Sequence, residues 1–315
     1  INIVTIYIKD KLSEGIEIQN VIDDNTKIKA ICNLQNQFSF LDNKSDSNKN
    51  LPKKNYNAVK DNIKEILNNL KDSEHALMNL TELMSSDLYT YEHSINVTVL
   101  SLLIGTELGY DEDKLLKIGL GAMLHDIGKL KIDKKIIHKP GKLTDKEYEI
   151  VKKHTVYGYE QLKEDRFISP FVKSIVLLHH EKLDGSGYPK GLNKKEFENL
   201  EFVMIVAASD ILDALINNRS YKDKMPIYKG VELLSSMVPE KIDPKIFSVL
   251  KKKIAPFPEG TGILLSNGKK GIVEKNNIDK PTRPIVRILN KDKEVVGKIN
   301  LMKDLTLFIE DSIKL

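Results

Sequence analysis

Histidine and aspartate residues recur through the middle of the chain at positions where metal ligands are common. The chain has seven histidines, and five of them fall at the ends or on the apolar faces of successive predicted helices. A single histidine of this kind is more often a satisfied core or surface residue than a ligand. The ordered series instead indicates one shared site, and its members are His93, His125, Asp126, His154, His179, His180, Asp210 and Asp213.

The residue types limit the chemistry of such a site. An aspartate buried in the apolar run "VAASDILDAL" would be costly without a metal or a cation as its partner. Neutral imidazoles combined with carboxylates suit Fe, Mn or similar divalent ions. Because Cys32 is the only cysteine, a thiolate-rich zinc site and an intramolecular disulfide are excluded. His125 and Asp126 are neighbours whose side chains diverge, so the carboxylate can bridge two ions while the imidazole binds one.

Helical patterns position these residues between Tyr56 and about Ala255. Apolar residues recur there at helical spacing, Asp111 is a predicted N-cap, and Thr144 with Glu147 has the spacing of a capping box. The flanking regions alternate apolar and polar residues, with a polar linker at 41–55 and a hairpin signal at Asn267-Gly268. The predicted fold class is mainly α. A helical domain over 56–255 follows a β-rich N-terminal segment and linker over 1–50 and precedes a small β appendage over 256–315.

Composition excludes several classes of protein. Hydrophobic residues make up 41% and charged residues 30%, as in a soluble globular protein. The net charge of +4 is spread along the chain, which does not indicate a nucleic-acid polymer as partner. No apolar run approaches the roughly 20 residues of a membrane span, and the start lacks the basic region of a signal peptide. The predicted location is a reducing cytoplasm.

The series of motifs resembles the HD superfamily of metal-dependent phosphohydrolases. "HDIGK" contains His125 and Asp126, and the other matching positions keep the same order along the chain. The stretch "HHEKLDGSGYPKGL" at 179–192 resembles the HD-GYP branch of that superfamily. The resemblance covers about 91–222. It implies an all-helical site and, in active members, hydrolysis of cyclic di-GMP at a centre of two or three metals.

The resemblance also implies a role for each ligand. One metal would be held by His93, His125 and Asp210. The second metal would be held by His154, His179 and His180. Asp126 would bridge the two ions and be essential for catalysis. Two divalent ions, Fe or Mn, would lower the pKa of a bridging water and clamp the phosphate oxygens.

Three cations are expected to contact the substrate. Lys129, three residues after Asp126, would bind non-bridging phosphate oxygens or assist the leaving 3′ oxygen as a second catalytic residue. Arg219 and Lys222 match family positions that grip the ligand's phosphates. A basic helix C-terminus that favours the helix dipole is the alternative explanation for these two residues.

The glycine loop is expected to lie against the same substrate. Gly185 and Gly187 would let the backbone turn closely beside the metal cluster, where side chains would crowd the ligand. An ordinary surface turn is the alternative explanation for these glycines. Tyr188 and Pro189 complete the predicted set of substrate contacts.

One position departs from the family pattern. Members with three metals carry a glutamate four residues before the first histidine, where this chain has Tyr89. A neutral phenol is a poor replacement for a carboxylate, and Glu92 would point to a different face than His93. Two metals are therefore expected. A third ion bound through Asp87 or through water is the alternative. A two-metal centre would favour linearisation of the cyclic dinucleotide over complete breakdown to GMP.

The leading hypothesis is a phosphodiesterase acting on cyclic di-GMP, with cyclic GMP-AMP as an open alternative substrate. A hypothesis from another class is a non-catalytic sensor, or a docking module for a diguanylate cyclase. A generic HD nucleotidase is disfavoured by the glycine loop together with Arg219 and Lys222. The terminal regions do not identify a ligand, and dimerisation, regulation or packing against the helical domain are open roles for them.

Overall fold

The computed structural model describes residues 12, 14–16, 22–42, 53–72, 89–217 and 225–315. These residues form twelve α-helices followed by five strands: α1 (Asp24–Asp42), α2 (Lys53–Asp72), α3 (Tyr89–Glu107), α4 (Glu112–Leu124), α5 (Lys134–Ile137), α6 (Asp145–Lys152), α7 (His154–Leu162), α8 (Pro170–Leu178), α9 (Lys194–Glu198), α10 (Glu201–Ile216), α11 (Ile227–Ser235), α12 (Pro244–Lys253), β1 (Gly262–Leu265), β2 (Lys270–Lys275), β3 (Ile285–Leu289), β4 (Val295–Asn300) and β5 (Ile309–Ser312). A short 3-10 helix, Ile127–Lys131, follows α4. The predicted mainly helical fold with a small C-terminal sheet is confirmed.

Helix α3 lies at the centre of the helical region. Its residues from Ile95 to Ile104 are almost all buried, as expected for a helix that is apolar around its whole circumference. It packs against α1, α4, α10 and α12. Since α3 carries His93 and α10 carries Asp210, this packing brings two predicted ligands together.

Local capping signals define where several helices begin. The Asp111 side chain accepts a hydrogen bond from the Lys114 backbone at the start of α4. At the start of α6, Thr144 and Glu147 form the predicted capping box, in which each side chain bonds to the other residue's backbone. Such caps satisfy backbone N–H groups that have no partner within the helix. Both predicted helix starts are confirmed.

The C-terminal strands form one antiparallel sheet in the order β4-β3-β2-β1-β5. The predicted hairpin at Asn267-Gly268 joins β1 to β2, and Gly268 has a φ of +77°. Such a φ is strained for residues with a Cβ, which explains a glycine there. The sheet has its own hydrophobic core, separate from the helical one, and its buried residues are Phe257, Ile263, Leu265, Val273, Val286, Ile288 and Leu301.

The N-terminal prediction is wrong for residues 24–42, which form helix α1 and not part of a β-rich segment. Ala30, Leu34, Phe38 and Leu41 face the helical core, and their spacing is helical. The alternating apolar residues on which the strand prediction rested lie mostly outside the described residues. Of the predicted linker at 41–55, α1 extends to Asp42, α2 begins at Lys53, and residues 43–52 lie outside the described part.

Among the described residues, no helix combines the length and the apolar character needed to cross a membrane.

Candidate metal centre

Five helical elements bring the seven predicted metal ligands into one cluster. Most of the seven side chains are buried, and that of His180 is partly exposed. His93 lies in the first turns of α3, and Asp210 lies within α10. The other ligands lie at helix ends: His125 and Asp126 follow α4, His154 begins α7, and His179 and His180 follow α8.

The first group of ligands is His93, His125 and Asp210. Their ligand atoms lie within 4.8 Å of one another. His93 Nε2 is 3.1 Å from Asp210 Oδ1, and His125 Nε2 is 3.9 Å from the same oxygen. Two imidazole nitrogens and a carboxylate oxygen therefore lie close enough together to bind one divalent transition metal.

The second group consists of His154, His179 and His180, whose ligand nitrogens also lie within 4.8 Å of one another. The Nε2 atoms of His154 and His179 are 3.2 Å apart. Helix α8 sets this position: Ser169 caps its N-terminus, Pro170 starts it, and its apolar face is buried. The C-terminal end of α8 then presents both adjacent histidines to the cluster.

The Asp126 carboxylate lies between the two groups. Its Oδ2 atom is 3.3 Å from His125 Nε2 and 3.6 Å from His93 Nε2, on the side of the first group. Its Oδ1 atom is 3.4 Å from His154 Nε2, on the side of the second group. One oxygen thus faces each group, which is the geometry that a carboxylate bridging two cations would need.

The donor atoms fit divalent cations. The Nδ1 atoms of His125 and His154 lie 2.6 Å from the backbone carbonyls of Ala122 and Val151, and that of His179 lies 3.0 Å from the carbonyl of Val176. Because a carbonyl oxygen can only accept, each Nδ1 carries the proton, and each Nε2 lone pair points into the cluster. His125 Nε2 and Asp126 Oδ1 are buried and make no hydrogen bond. Buried polar atoms without such partners are rare, and here both atoms face other ligand atoms.

The electrostatics of the second group favour neutral imidazoles. Burial lowers the pKa of His154 to about 4 and that of His180 to about 3, and it lowers the pKa of His179 well below its ordinary value. Neutral imidazole is the form of histidine that binds metals.

In the first group and at Asp126, the pKa values reflect the close contact of carboxylates with imidazoles and Lys129. Burial lowers the pKa of His93, but its hydrogen bonds to Asp210 and Asp213 outweigh burial and raise that pKa to about 10. Burial raises the pKa of Asp126, but its interactions with His125 and Lys129 outweigh burial and hold that pKa well below its ordinary value. Ionised carboxylates therefore supply the negative charge that a cation would need.

Glu181, which follows the histidine pair at the end of α8, holds the glycine loop in place. This buried carboxylate accepts hydrogen bonds from the backbone N–H groups of Lys190, Gly191 and Leu192, at 2.7, 3.2 and 3.0 Å. The Tyr188 ring stacks on the imidazole of His180, with 4.7 Å between the ring centroids. The loop therefore lies directly against the second ligand group.

The two glycines singled out in this loop have separate structural reasons. A Cβ atom at Gly187 would lie 2.4 Å from Glu181 Cα and 2.6 Å from the His180 carbonyl oxygen, so only glycine fits this close backbone approach. Gly185 has a φ of +75°, which L side chains rarely adopt. Pro189 follows Tyr188 through a cis peptide bond.

Of the predicted phosphate-binding cations, Lys129 lies in the cluster. Its Nζ atom is 2.5 Å from Asp126 Oδ2, and it is placed by the 3-10 helix and not by an α-helix as its spacing suggested. Arg219 and Lys222 lie outside the described residues, as does Asp87. Tyr89 is the first residue of α3.

Glu92 points away from the ligands, as expected from its position next to His93. Its carboxylate is buried and lies 3.3 Å from the Nζ atom of Lys27 in α1. This ion pair joins the N-terminal helix to the turn that carries His93.

Two residues support the site in ways that the sequence did not predict: Asp213 was counted with the ligand-type residues but given no role, and Glu181 was not singled out. His93 Nδ1 lies 2.7 Å from Asp213 Oδ2, so Asp213 orients the ring. The signal was present, since Asp213 is a second aspartate in the apolar α10 sequence, three positions after Asp210. Glu181 directly follows the histidine pair, but its bonds to a loop nine to eleven residues away cannot be inferred from a local pattern.

Comparisons with known proteins identify the family of the chain. A family model described as "HD domain" matches residues 66–246, and one described as "KOW domain associated with HD domain" matches residues 262–315. A cyclic di-GMP phosphodiesterase of Pseudomonas aeruginosa is 34% identical over 199 residues, which are 63% of this chain and 47% of that protein. A 3'3'-cGAMP-specific phosphodiesterase of Vibrio cholerae is 37% identical over 174 residues, 54% of this chain and 36% of that protein.

A solved structure shares the fold. A HDG"Y"P protein from Bdellovibrio bacteriovorus superposes with a TM-score of 0.58 at 21% identity, covering 71% of this chain and 69% of that one. The chain spans less than half the length of the two curated relatives. The matched model covers more than half of the chain and includes every predicted ligand. The chain therefore belongs to the HD domain family, within the HD-GYP branch that its motifs resemble.

Proposed function

We propose that this chain is a phosphodiesterase that opens cyclic di-GMP at a centre of two divalent cations. The observation that carries the proposal is the position of Asp126, whose two carboxylate oxygens face the two separate ligand groups. The name of the Pseudomonas relative supplies the substrate class. Fe and Mn suit a donor set of imidazole and carboxylate without thiolates.

Each ligand group would hold one cation. The first cation would be bound by His93, His125 and Asp210, the second by His154, His179 and His180, and Asp126 would contact both. Bound there, the cations would lower the pKa of a water molecule to give a nucleophile at neutral pH and would neutralise phosphate charge.

The protein's own residues would position the substrate phosphate. Lys129 lies at the edge of the cluster with its side chain partly exposed, so its ammonium can turn from Asp126 to a non-bridging phosphate oxygen or to the leaving 3′ oxygen. The loop held by Glu181 places Tyr188 over His180 and covers one side of the centre. Arg219 and Lys222 would bind the second phosphate.

The remaining predictions belong to the same proposal. Two cations are expected and not three, because Tyr89 stands where a third-site glutamate would be. The product of a two-metal centre would be linear pGpG. Location in the cytoplasm, a homodimer and a diguanylate cyclase as partner are further expectations.

A second candidate substrate is 3'3'-cyclic GMP-AMP. The Vibrio relative that is specific for this compound is as similar in sequence as the Pseudomonas relative. Both compounds would place the same phosphodiester at the metal centre, so the two functions share one mechanism and differ in the recognised base.

The test is hydrolysis by anaerobically purified, metal-loaded protein. Incubation with cyclic di-GMP, followed by chromatographic separation of pGpG and GMP, should show pGpG as the first product. Asp126→Ala should abolish turnover, whereas Asp113→Ala, which removes an exposed aspartate on α4, should not. Metal-loaded protein that binds the nucleotide without turnover would contradict the proposal and favour the sensor hypothesis.

A further inference from the structure

Two aromatic rings and a lysine lie together on the outer side of the metal centre. Tyr148 and Lys152 are one turn apart on α6, and the Tyr148 ring lies 6.5 Å from the Tyr188 ring. Lys152 Nζ is 5.6 Å from the Tyr148 ring centroid and 5.7 Å from that of Tyr188. Since Tyr188 stacks on His180, one ring of this group directly contacts a predicted metal ligand.

The group is open to a ligand. Tyr148 is 48% exposed, and the Lys152 side chain is partly exposed. Isolated exposed aromatic residues are common and need no explanation. Here the exposed ring lies with a cation beside a cluster suited to phosphodiester chemistry, and aromatic faces are the usual platforms on which unpaired bases stack.

Lys152 also contacts Glu149, with its Nζ atom 2.5 Å from Glu149 Oε1. An ammonium beside a carboxylate presents a donor next to an acceptor. The Watson–Crick edge of guanine has the matching pattern, because O6 accepts while N1–H and N2–H donate. Adenine has the reverse pattern: its N6 amino group would face the ammonium, and its N1 acceptor would face the carboxylate.

We propose that Tyr148, Glu149 and Lys152 form a base-recognition subsite that selects guanine over adenine in the substrate. This inference rests on the proposed function, because the base must belong to a nucleotide whose phosphate lies at the metal centre. Tyr148 stacks on the base, Lys152 donates to O6, and Glu149 accepts from N1–H and N2–H. Tyr188 contacts both Lys152 and His180, so the subsite adjoins the metal centre.

The test compares Lys152→Met with wild-type protein, using cyclic di-GMP and cyclic di-AMP as the two probes. Methionine keeps the unbranched side chain and removes the charge. The preference for cyclic di-GMP, measured as the ratio of kcat/KM values and as the ratio of Kd values, should fall by about tenfold to a hundredfold, the usual range for a well-formed pair of base contacts. Metal content should stay the same.

Three further variants separate base recognition from stacking and from folding. Tyr148→Leu should weaken binding of both nucleotides alike, because stacking does not depend on the base edge, while Tyr148→Phe should keep the affinity. Lys153→Met removes the exposed neighbouring lysine and should leave the preference unchanged.

Binding and turnover together distinguish this inference from the proposed function. Guanine-selective binding that depends on Lys152 but occurs without turnover would overturn the phosphodiesterase and support the subsite. Turnover with a base preference that is equal in wild type and Lys152→Met would overturn the subsite and support the phosphodiesterase.

Discussion

His93 Nδ1 lies 2.7 Å from Asp213 Oδ2, and the opposite ring nitrogen faces Asp210 and Asp126. Asp213 and Asp210 lie three residues apart in α10, so one helical turn supplies both the candidate ligand and the group that orients its histidine partner. Carboxylates that orient ligand histidines fix the ring position and raise the basicity of the ligand nitrogen.

Asp213→Ala should therefore weaken cation binding at the His93 group. Loss of such an orienting group typically costs about 10-fold to 100-fold in metal affinity. Titration of metal-free protein with Mn²⁺ in a calorimeter should show this loss for one of two sites, with the affinity of the other unchanged. Asp213→Asn keeps an acceptor oxygen and should show a smaller loss. Equal affinities in Asp213→Ala and wild type would show that Asp213 does not support a metal site.

Glu181→Ala should release the glycine loop. The substitution leaves three backbone N–H groups without their acceptor, at about 1–3 kcal/mol for each group that stays buried. The amides of residues 190–192 should exchange hydrogen faster, and KM for the cyclic dinucleotide should rise. Glu198→Ala, which removes an exposed carboxylate on nearby α9, serves as the control. Unchanged amide exchange in Glu181→Ala would refute the anchoring role.

Lys27→Met should destabilise the helical region. Lys27 and Glu92 form a buried ion pair, and removal of one partner of such a pair typically costs about 3–5 kcal/mol. The free energy of unfolding can be measured by urea denaturation. Lys29→Met breaks the exposed pair with Glu65 and should cost at most about 1 kcal/mol.

A double variant tests the same ion pair by removing both of its charges. Combining Lys27→Met with Glu92→Leu replaces both charges by apolar groups and should recover much of the lost stability. If Lys27→Met costs no more than Lys29→Met, the buried pair does not fix α1 to α3.

Acid should weaken the capping box of α6. Hydrogen bonds from Lys139 and Thr144 lower the pKa of Glu147 to about 2, from an ordinary value of 4.5. A carboxyl group whose pKa is lower in the folded state contributes stability above its unfolded-state pKa, and that contribution is lost as the pH falls. The free energy of unfolding should therefore decrease between pH 4.5 and about 2, and Glu147→Gln should lack this component. An NMR titration that gives Glu147 its ordinary pKa would contradict the assignment.

Features with local signals were predictable from sequence. The Thr144–Glu147 capping box and the Asn267-Gly268 hairpin depend on residues within one turn, and both occur as expected. The ligand series was recognisable because metal chemistry restricts the residue types to histidine and aspartate. The helical spacing of apolar residues in α1 was also present in the sequence. The alternation before residue 23 nevertheless suggested strands for the whole N-terminal segment. In the structure, α1 packs its apolar face against α2 and α3.

Features created by tertiary contacts were not predictable. Glu181 accepts hydrogen bonds from backbone N–H groups. Because almost every residue type has this group, the loop sequence does not reveal the contact. The Lys27–Glu92 pair joins residues 65 positions apart, and each is an ordinary charged residue within its own helix pattern. The orientation of Asp126, with one oxygen towards each ligand group, depends on how five elements pack together.

Electron paramagnetic resonance of the Mn²⁺-loaded protein tests the central claim most directly, since a carboxylate that bridges two ions couples their spins. We predict two Mn²⁺ ions per chain and an exchange-coupled signal that Asp126→Ala abolishes. One ion per chain, or two ions with the uncoupled signal of separate sites, would contradict a centre bridged by Asp126.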